Sequence, residues 1–306
     1  MHRFELQGAT AVVTGASRGV GPHVAAALAE RGAKVALVAR SEEGLAAVAR
    51  DLERRGATAL AVPGDVTSAE DRREVVEIVQ RSFGSIDVLV NNAGGDPQRQ
   101  FHNLSEDELH AVVELNLVSS LILSRLVLPG MLARGRGHIV NVSSMAGRTS
   151  FPLTEAYAAA KDGLIGFTRV LRGDYRRSGV SASTLILGPV RDAGVGVRTA
   201  EEVGIKLPPR AFTVSPRAVS KAAVRAIVKD KPELAVLPGP GRAMRALMDR
   251  FPGMGPSMNR MTGVKKTMLT VAEFREREAR LAAEEGDEAA GRGPELAPGP
   301  RARRGD

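Results

Sequence analysis

Seven short runs of β-branched or apolar residues alternate with six helix-patterned stretches along most of this chain, and that alternation leaves few folds open. The runs are Ala11–Val13, Val35–Val38, Ala59–Val62, Val88–Val90, His138–Val142, Ser183–Leu187 and Leu234–Leu237. Between them lie Val24–Arg31, Glu43–Arg54, Glu70–Ser82, Glu106–Ala133, Glu155–Arg177 and Pro216–Val228, the last opened by the capping pair Ser215-Pro216. Strands joined through helices pair in parallel by right-handed crossovers. The predicted class is therefore α/β, a doubly wound parallel sheet with helices on both faces. Ligands in such sheets sit outside the carboxyl ends of the strands. No linker interrupts residues 9–238, and 43% hydrophobic content over 306 residues suffices for one large core.

Composition removes several function classes. There is no cysteine, which excludes disulfides and thiolate metal sites, and the five histidines lack metal-ligand spacing. The net charge of +8 comes from 43 basic and 35 acidic side chains, but only 3% of residues are aromatic. A basic stripe with interleaved aromatics is missing, so nucleic-acid binding is rejected. The opening MHRFELQGATAVVTG lacks the apolar core of a signal peptide, and no run is expected to reach transmembrane length. A cytoplasmic protein is expected.

The first strand runs into Thr14-Gly15-Ala16-Ser17-Arg18-Gly19-Val20-Gly21, which opens a helix. That context suits a phosphate-binding turn. Gly15 permits the tight turn, Gly19 allows backbone to approach a pyrophosphate, and Gly21 allows close helix packing. The second strand ends Val38-Ala39-Arg40-Ser41. An NAD site usually carries a carboxylate there; Ala39 removes it, while Arg40, Ser41 and Arg18 offer donors to a 2′-phosphate. NADP(H) is expected in preference to NAD(H).

Tyr157 and Lys161 stand four residues apart, with Ser144 upstream in VNVSSMAGRTSFPLTEAYAAAKDGL. On a helix the first two share a face. An ammonium beside a phenol is expected to lower its pKa and fit it for proton exchange near neutral pH. Ser144 can hydrogen-bond the same substrate oxygen.

Taken with Asp65-Val66, Asn91-Asn92-Ala93-Gly94, Asn116, Ser143-Ser144 and Gly188-Pro189-Val190, these motifs resemble the classical short-chain dehydrogenase/reductase family over residues 8 to about 238. The resemblance implies a Rossmann-like catalytic domain over residues 1–238. It implies a catalytic set of Asn116, Ser144, Tyr157 and Lys161, in which Tyr157 is the general acid of ketone reduction. Ser144 polarises the oxygen, Lys161 holds the nicotinamide ribose, and Asn116 anchors a water leading to Lys161. The implied cofactor site comprises Gly15, Ser17, Arg18, Gly19, Val20, Gly21, Arg40, Ser41, Asp65, Val66, Asn92, Ala93, Gly94, Tyr157, Lys161, Pro189 and Val190. Asp65 and Val66 would flank the adenine, and Asn91 would lie beside the ribose and pyrophosphate with Ala93 and Gly94. Asp192 stands where family members often place a threonine. The expected activity is interconversion of a hydrophobic ketone and its secondary alcohol with NADP(H). The partner is a small carbonyl or alcohol molecule, and a homo-oligomer, dimer or tetramer, is implied. The alternative is a catalytically silent nucleotide-binding scaffold or redox sensor.

Three segments fall outside the motifs. Arg191–Thr213 is read as either a lid over the substrate or a plain surface loop. Residues 239–282 hold six of the nine methionines between Met244 and Met268, with Met244, Leu247, Met248 and Phe251 at helical spacing. That extension is expected either to pack on the domain, covering the core or lining the substrate pocket, or to lie on a membrane surface as a peripheral contact; an integral membrane protein is not expected. Residues 283–306 have too few apolar side chains to fold and are expected to be disordered. Substrate contacts are expected from Gly95–His102, from Met145–Leu153 and from the 191–213 segment, with Met145, Phe151, Leu153 and Leu207 making an apolar pocket.

Overall fold

The computed structural model describes residues 4–291 except 207, 240, 242–245, 247–249 and 252. The strands are β1 (Thr10–Thr14), β2 (Lys34–Ala39), β3 (Ala59–Pro63), β4 (Val88–Asn91), β5 (Gly137–Ser144), β6 (Val180–Leu187) and β7 (Glu233–Val236). The crossovers carry α1 (Gly21–Ala29), α2 (Glu42–Arg54), α3 (Ala69–Phe83), α4 (Glu106–Val113), α5 (Ser119–Ala133), α6 (Glu155–Tyr175), α7 (Val195–Val203) and α8 (Pro216–Val228). After β7 the described residues include α9 (Met254–Met261) and α10 (Val264–Gly291).

All seven strands join one parallel sheet in the order β3-β2-β1-β4-β5-β6-β7. Successive side chains on a strand point to opposite faces, and here both faces are covered. Val13, Leu37, Val90, Val140 and Leu185 pack in one layer with Leu28 of α1, Leu45 of α2 and Ile227 of α8. Their neighbours Val12, Val38, Leu89 and Ile139 pack in the other, with Val79 of α3 and Leu123 and Met131 of α5. Each fully buried leucine or isoleucine contributes about 1.5–3 kcal/mol relative to exposure. Strand order reverses between β1 and β4, so a crevice opens at their carboxyl ends.

Several expectations require correction. The helix at 106–133 is not uniform: a π turn at Glu114–Val118 separates α4 from α5. It does contain an apolar window of mean hydropathy 1.8, long enough to cross a membrane. Asn116, Ser119, Ser120 and Ser124, however, turn their polar side chains into the protein interior beside the sheet. The 191–213 segment contains a helix, α7, and a 3-10 turn at Arg210–Phe212. Met244, Leu247 and Met248 lie outside the described residues. Phe251 and Met261 are exposed, whereas Met268, Val271 and Ala272 of α10 are buried. The same helix runs on to Gly291, so residues 283–291 are helical where disorder was expected; 292–306 lie outside the described residues.

Candidate active site

Backbone that side chains would obstruct builds the floor of the crevice. Gly15 and Gly19 adopt left-handed φ values of 64° and 69°. A Cβ on Gly15 would come within 3.0 Å of Ala93 Cα and of Asn92 Nδ2, and one on Gly21 within 2.2 Å of the Gly15 carbonyl oxygen. Thr14 Oγ1 accepts hydrogen bonds from the amides of Asn92 (2.9 Å) and Ala93 (3.0 Å), while Asn92 Nδ2 donates to the Thr14 carbonyl at 2.9 Å. The β1 and β4 loops are thereby stitched together. Helix α1 starts at Gly21, earlier than the apolar pattern suggested, and Val20 provides no side-chain cap. Its first-turn amides remain available to an anion, so the cradle fits a dinucleotide pyrophosphate. Asn91 departs from expectation: its amide is spent inside the sheet, donating to Asn141 Oδ1 (2.8 Å), Ser124 Oγ (3.2 Å) and the Ser120 carbonyl.

The β2 corner adjoins this cradle. Ser41 caps α2 by accepting from the Gly44 amide at 3.2 Å. Gly44 sits so near Ser17 that a Cβ there would lie 2.9 Å from Ser17 Cβ. Arg18, next to Ser17, and Arg40, next to Ser41, are both largely solvent-facing on their side chains. Arg40 stands 3.8 Å from Asp65, whose carboxylate also accepts from the amide and hydroxyl of Thr67. Val66 is buried beside it.

The opposite wall belongs to β5 and α6. Lys161 is buried, donates from Nζ to the Val142 carbonyl at 3.0 Å and lies 5.6 Å from the centre of the Tyr157 ring. The Ser143 hydroxyl donates to the Lys161 carbonyl at 2.8 Å, fixing α6 to the strand. Ser144, the last residue of β5, accepts from the Ala146 amide at 3.1 Å and lies near enough to the Tyr157 phenol to act on its proton affinity. Gly147 makes this approach possible, since a Cβ there would sit 2.8 Å from the Asp162 amide nitrogen. Asn116 occupies the π turn, a local widening common at functional sites. Its side chain accepts from the Gly95 amide (3.1 Å) and donates to the carbonyls of Gly95 (2.7 Å) and Val112 (2.9 Å). Asn116 and Lys161 converge on Gly94, where a Cβ would meet Asn116 Oδ1 at 2.7 Å and Lys161 Nζ at 3.1 Å.

The electrostatics differ from the sequence expectation. Burial pushes the Tyr157 phenol up to about 12, partly opposed by the neighbouring Ser144 hydroxyl and reinforced by the charge of Asp96. Burial also lowers Lys161 to about 8. Desolvation is the largest cause of the rise at Tyr157. Asp96, which pattern reading passed over, is raised to about 7 by burial, with the Gln98 amide opposing and Glu155 adding to the rise. Gly147 and Asp96 carry no periodic signal, and only the folded neighbourhood gives them a role.

Pro189 and Val190 are fixed by a short parallel bridge. The Val214 amide donates to the Pro189 carbonyl at 2.8 Å and the Arg191 amide to the Val214 carbonyl at 2.9 Å. Asp192 takes φ 59°, faces solvent and pairs with Arg191 at 3.7 Å. The following segment leans over the crevice: a Cβ on Gly19 would lie 3.4 Å from Gly194 Cα. Met145, Phe151 and Leu153 are half-buried beyond Ser144, and Leu207 lies outside the described residues.

A family model described as short chain dehydrogenase matches residues 9–204. The ketoacyl reductase HetN of Nostoc is 37% identical over 235 residues, covering 77% of this chain and 80% of that protein. The 3-oxoacyl-(acyl-carrier-protein) reductase FabG of Vibrio cholerae is 39% identical over 185 residues, 60% of this chain and 75% of its own length. Among solved structures, a metagenomic short-chain oxidoreductase in complex with NADP has a TM-score of 0.65 at 31% identity, over 77% of this chain and 99% of that one. A short-chain alcohol dehydrogenase, so described provisionally, from Sinorhizobium meliloti has a TM-score of 0.67 at 30% identity, over 76% and 96%. The chain belongs to the short-chain dehydrogenase/reductase family, and it is an NAD(P)-dependent oxidoreductase acting on ketones.

Proposed function

We propose that the protein reduces a hydrophobic ketone to its secondary alcohol with NADPH, and that Tyr157 delivers the proton. The observation carrying this reading is the convergence of Ser144, at the carboxyl end of β5, with Tyr157 and with Lys161, whose Nζ lies 5.6 Å from the centre of the ring. Bound NADPH supplies the hydride. Ser144 donates a hydrogen bond to the carbonyl oxygen, and Tyr157 passes its proton to that oxygen as negative charge develops. A phenol raised to about 12 is protonated throughout the physiological range, the state a reductase needs at the start of its cycle. Lys161, held by the Val142 carbonyl, keeps its ammonium 5.6 Å from the centre of the Tyr157 ring and would hydrogen-bond the nicotinamide ribose of a bound cofactor. Asn116 holds the Gly95 backbone and would anchor a water leading to Lys161.

The glycine cradle and the uncapped start of α1 support dinucleotide binding, by Gly15, Ser17, Arg18, Gly19, Val20 and Gly21 on the phosphates. Ala39, with Arg40, Ser41 and Arg18 nearby, supports preference for NADP(H) over NAD(H), because no carboxylate at the strand end repels a 2′-phosphate. The names of the ketoacyl reductase relatives support a 3-oxoacyl-type ketone, and Met145, Phe151 and Leu153 support an apolar one. The incompletely buried apolar face of residues 106–133 supports a homo-oligomer. The test is NADPH absorbance loss across a panel of ketones including 3-oxoacyl thioesters, in parallel with Tyr157→Phe. Turnover reduced at least about 100-fold in the variant is expected. Tight NADPH binding with no turnover on any ketone would instead make the protein a silent scaffold.

A further inference from the structure

We propose that α10 is a strap that holds the substrate loops closed, with the adjacent residues Arg275 and Glu276 as positioning residues for substrate binding. The proposal rests on the ketone-reductase reading above. Met268, Val271, Ala272 and Arg275 fall at helical spacing on one face of α10, and the three apolar members are buried. That anchoring brings the two charged residues to two different loops. Glu276 Oε1 accepts from Asn103 Nδ2 at 2.8 Å and from the Gln100 amide at 3.2 Å, across more than 170 residues of sequence. Arg275 pairs with Glu202 of α7, which Arg198 also approaches at 3.7 Å.

The two loops are also tied to each other. Thr199 of α7 is buried and donates its hydroxyl to Gln98 Oε1 at 2.6 Å. Gln98 takes a left-handed φ of 55°, unfavourable for a side chain of its size unless its neighbours hold it. Two residues before it stands Asp96, whose charge is felt by Tyr157. The third loop is engaged by the helix before the strap, because Asn259 of α9 donates to the Ser150 carbonyl. The extension therefore touches the segments that follow β4, β5 and β6, the three that must surround a substrate held at Ser144 and Tyr157. Partial burial opposes the charge of Glu276, but hydrogen bonds from Asn103 and Gln100 and the nearby Arg99 keep its carboxyl below its ordinary value. It stays ionised, with its acceptors intact, at neutral pH.

The experiment uses the full chain with Glu276→Ala, Glu276→Gln, Arg275→Glu and the charge swap Arg275→Glu/Glu202→Arg. Hydrogen exchange of peptides covering residues 96–103 and 195–203 is read without substrate, and KM and kcat are read with a bulky apolar ketone and with NADPH. Glu276→Ala is expected to speed exchange in the 96–103 peptide about tenfold and to raise ketone KM by a similar factor. Its kcat and its KM for NADPH should stay within about twofold of wild type. Glu276→Gln keeps the carbonyl acceptor and should restore most of both, and the swap should restore what Arg275→Glu loses in 195–203. Unchanged exchange in Glu276→Ala, equal damage in Glu276→Gln, or a fall in kcat with ketone KM unchanged would each overturn the strap. If wild type turns over no ketone, the reductase reading fails alone, and exchange still decides the strap.

Discussion

Gly94→Ala is the perturbation that tests most directly whether Asn116 and Lys161 are placed as described. A Cβ at this position would lie 2.7 Å from Asn116 Oδ1 and 3.1 Å from Lys161 Nζ, both inside ordinary van der Waals contact. Neither partner is free to yield: Asn116 is bonded to Gly95 and Val112, and Lys161 is buried against Val142. The conflict must be relieved by moving them, or the β4 loop, by roughly 0.5 Å, at about 1–3 kcal/mol of stability. Displacement on that scale at a reacting centre costs roughly 10- to 100-fold in kcat/KM. Gly95→Ala is the internal control, since a Cβ there meets only Leu115 Cδ2, at 3.7 Å. The assay is NADPH oxidation with a saturable ketone, together with thermal unfolding of both variants. Wild-type kcat/KM in Gly94→Ala, or equal losses in the two variants, would refute the reasoning.

His138 is fully buried on β5, bonded at 2.8 Å to Ser183 Oγ, and burial lowers it from 6.5 to about 4. The unfolded chain therefore takes up this proton first as the solution is acidified. The stability is fully present above pH 6.5 and lost between 6.5 and about 4, an amount of about 3 kcal/mol; denaturant midpoints for wild type and His138→Gln should converge in that window, and parallel curves would contradict it. Arg172 spends its guanidinium on Asp230, Ser181 and the Ala182 carbonyl in a mostly buried network, so Arg172→Ala should lose about 3 kcal/mol or more by chemical denaturation. Arg40→Ala should raise KM for NADPH by roughly tenfold and leave NADH nearly unaffected, as expected for loss of one charge-assisted phosphate contact. Equal effects on both cofactors would remove Arg40 from cofactor discrimination.

Local chemistry wrote much of this protein into its sequence. The central strands are legible because a strand buried on both faces is mostly apolar, as Val35–Val38 and Val88–Val90 are. The glycine turn is legible because only glycine takes the backbone found at Gly15 and Gly19 without cost. Tyr157 and Lys161 could be paired from helical spacing alone. Asn91 could not be told from Asn92, because the two differ only in which side of the strand end they face. The π turn at Asn116 was invisible for a similar reason: one extra residue in a helical turn leaves the apolar pattern nearly unchanged.

The sequence by itself determined the sheet, the phosphate turn and the residue types of the site, since each follows from the conformational preference or chemistry of residues close together in the chain. Only the tertiary structure decided the rest. It brought Gly94 under Asn116 and Lys161, Gly147 against α6, and Asp96 within range of Tyr157. It reversed the expected direction of the phenol's pKa, because desolvation depends on everything that surrounds the group, whereas helical spacing reports one neighbour. It also set Glu276 beside Gln100 and Asn103, a contact between distant segments that no local pattern encodes.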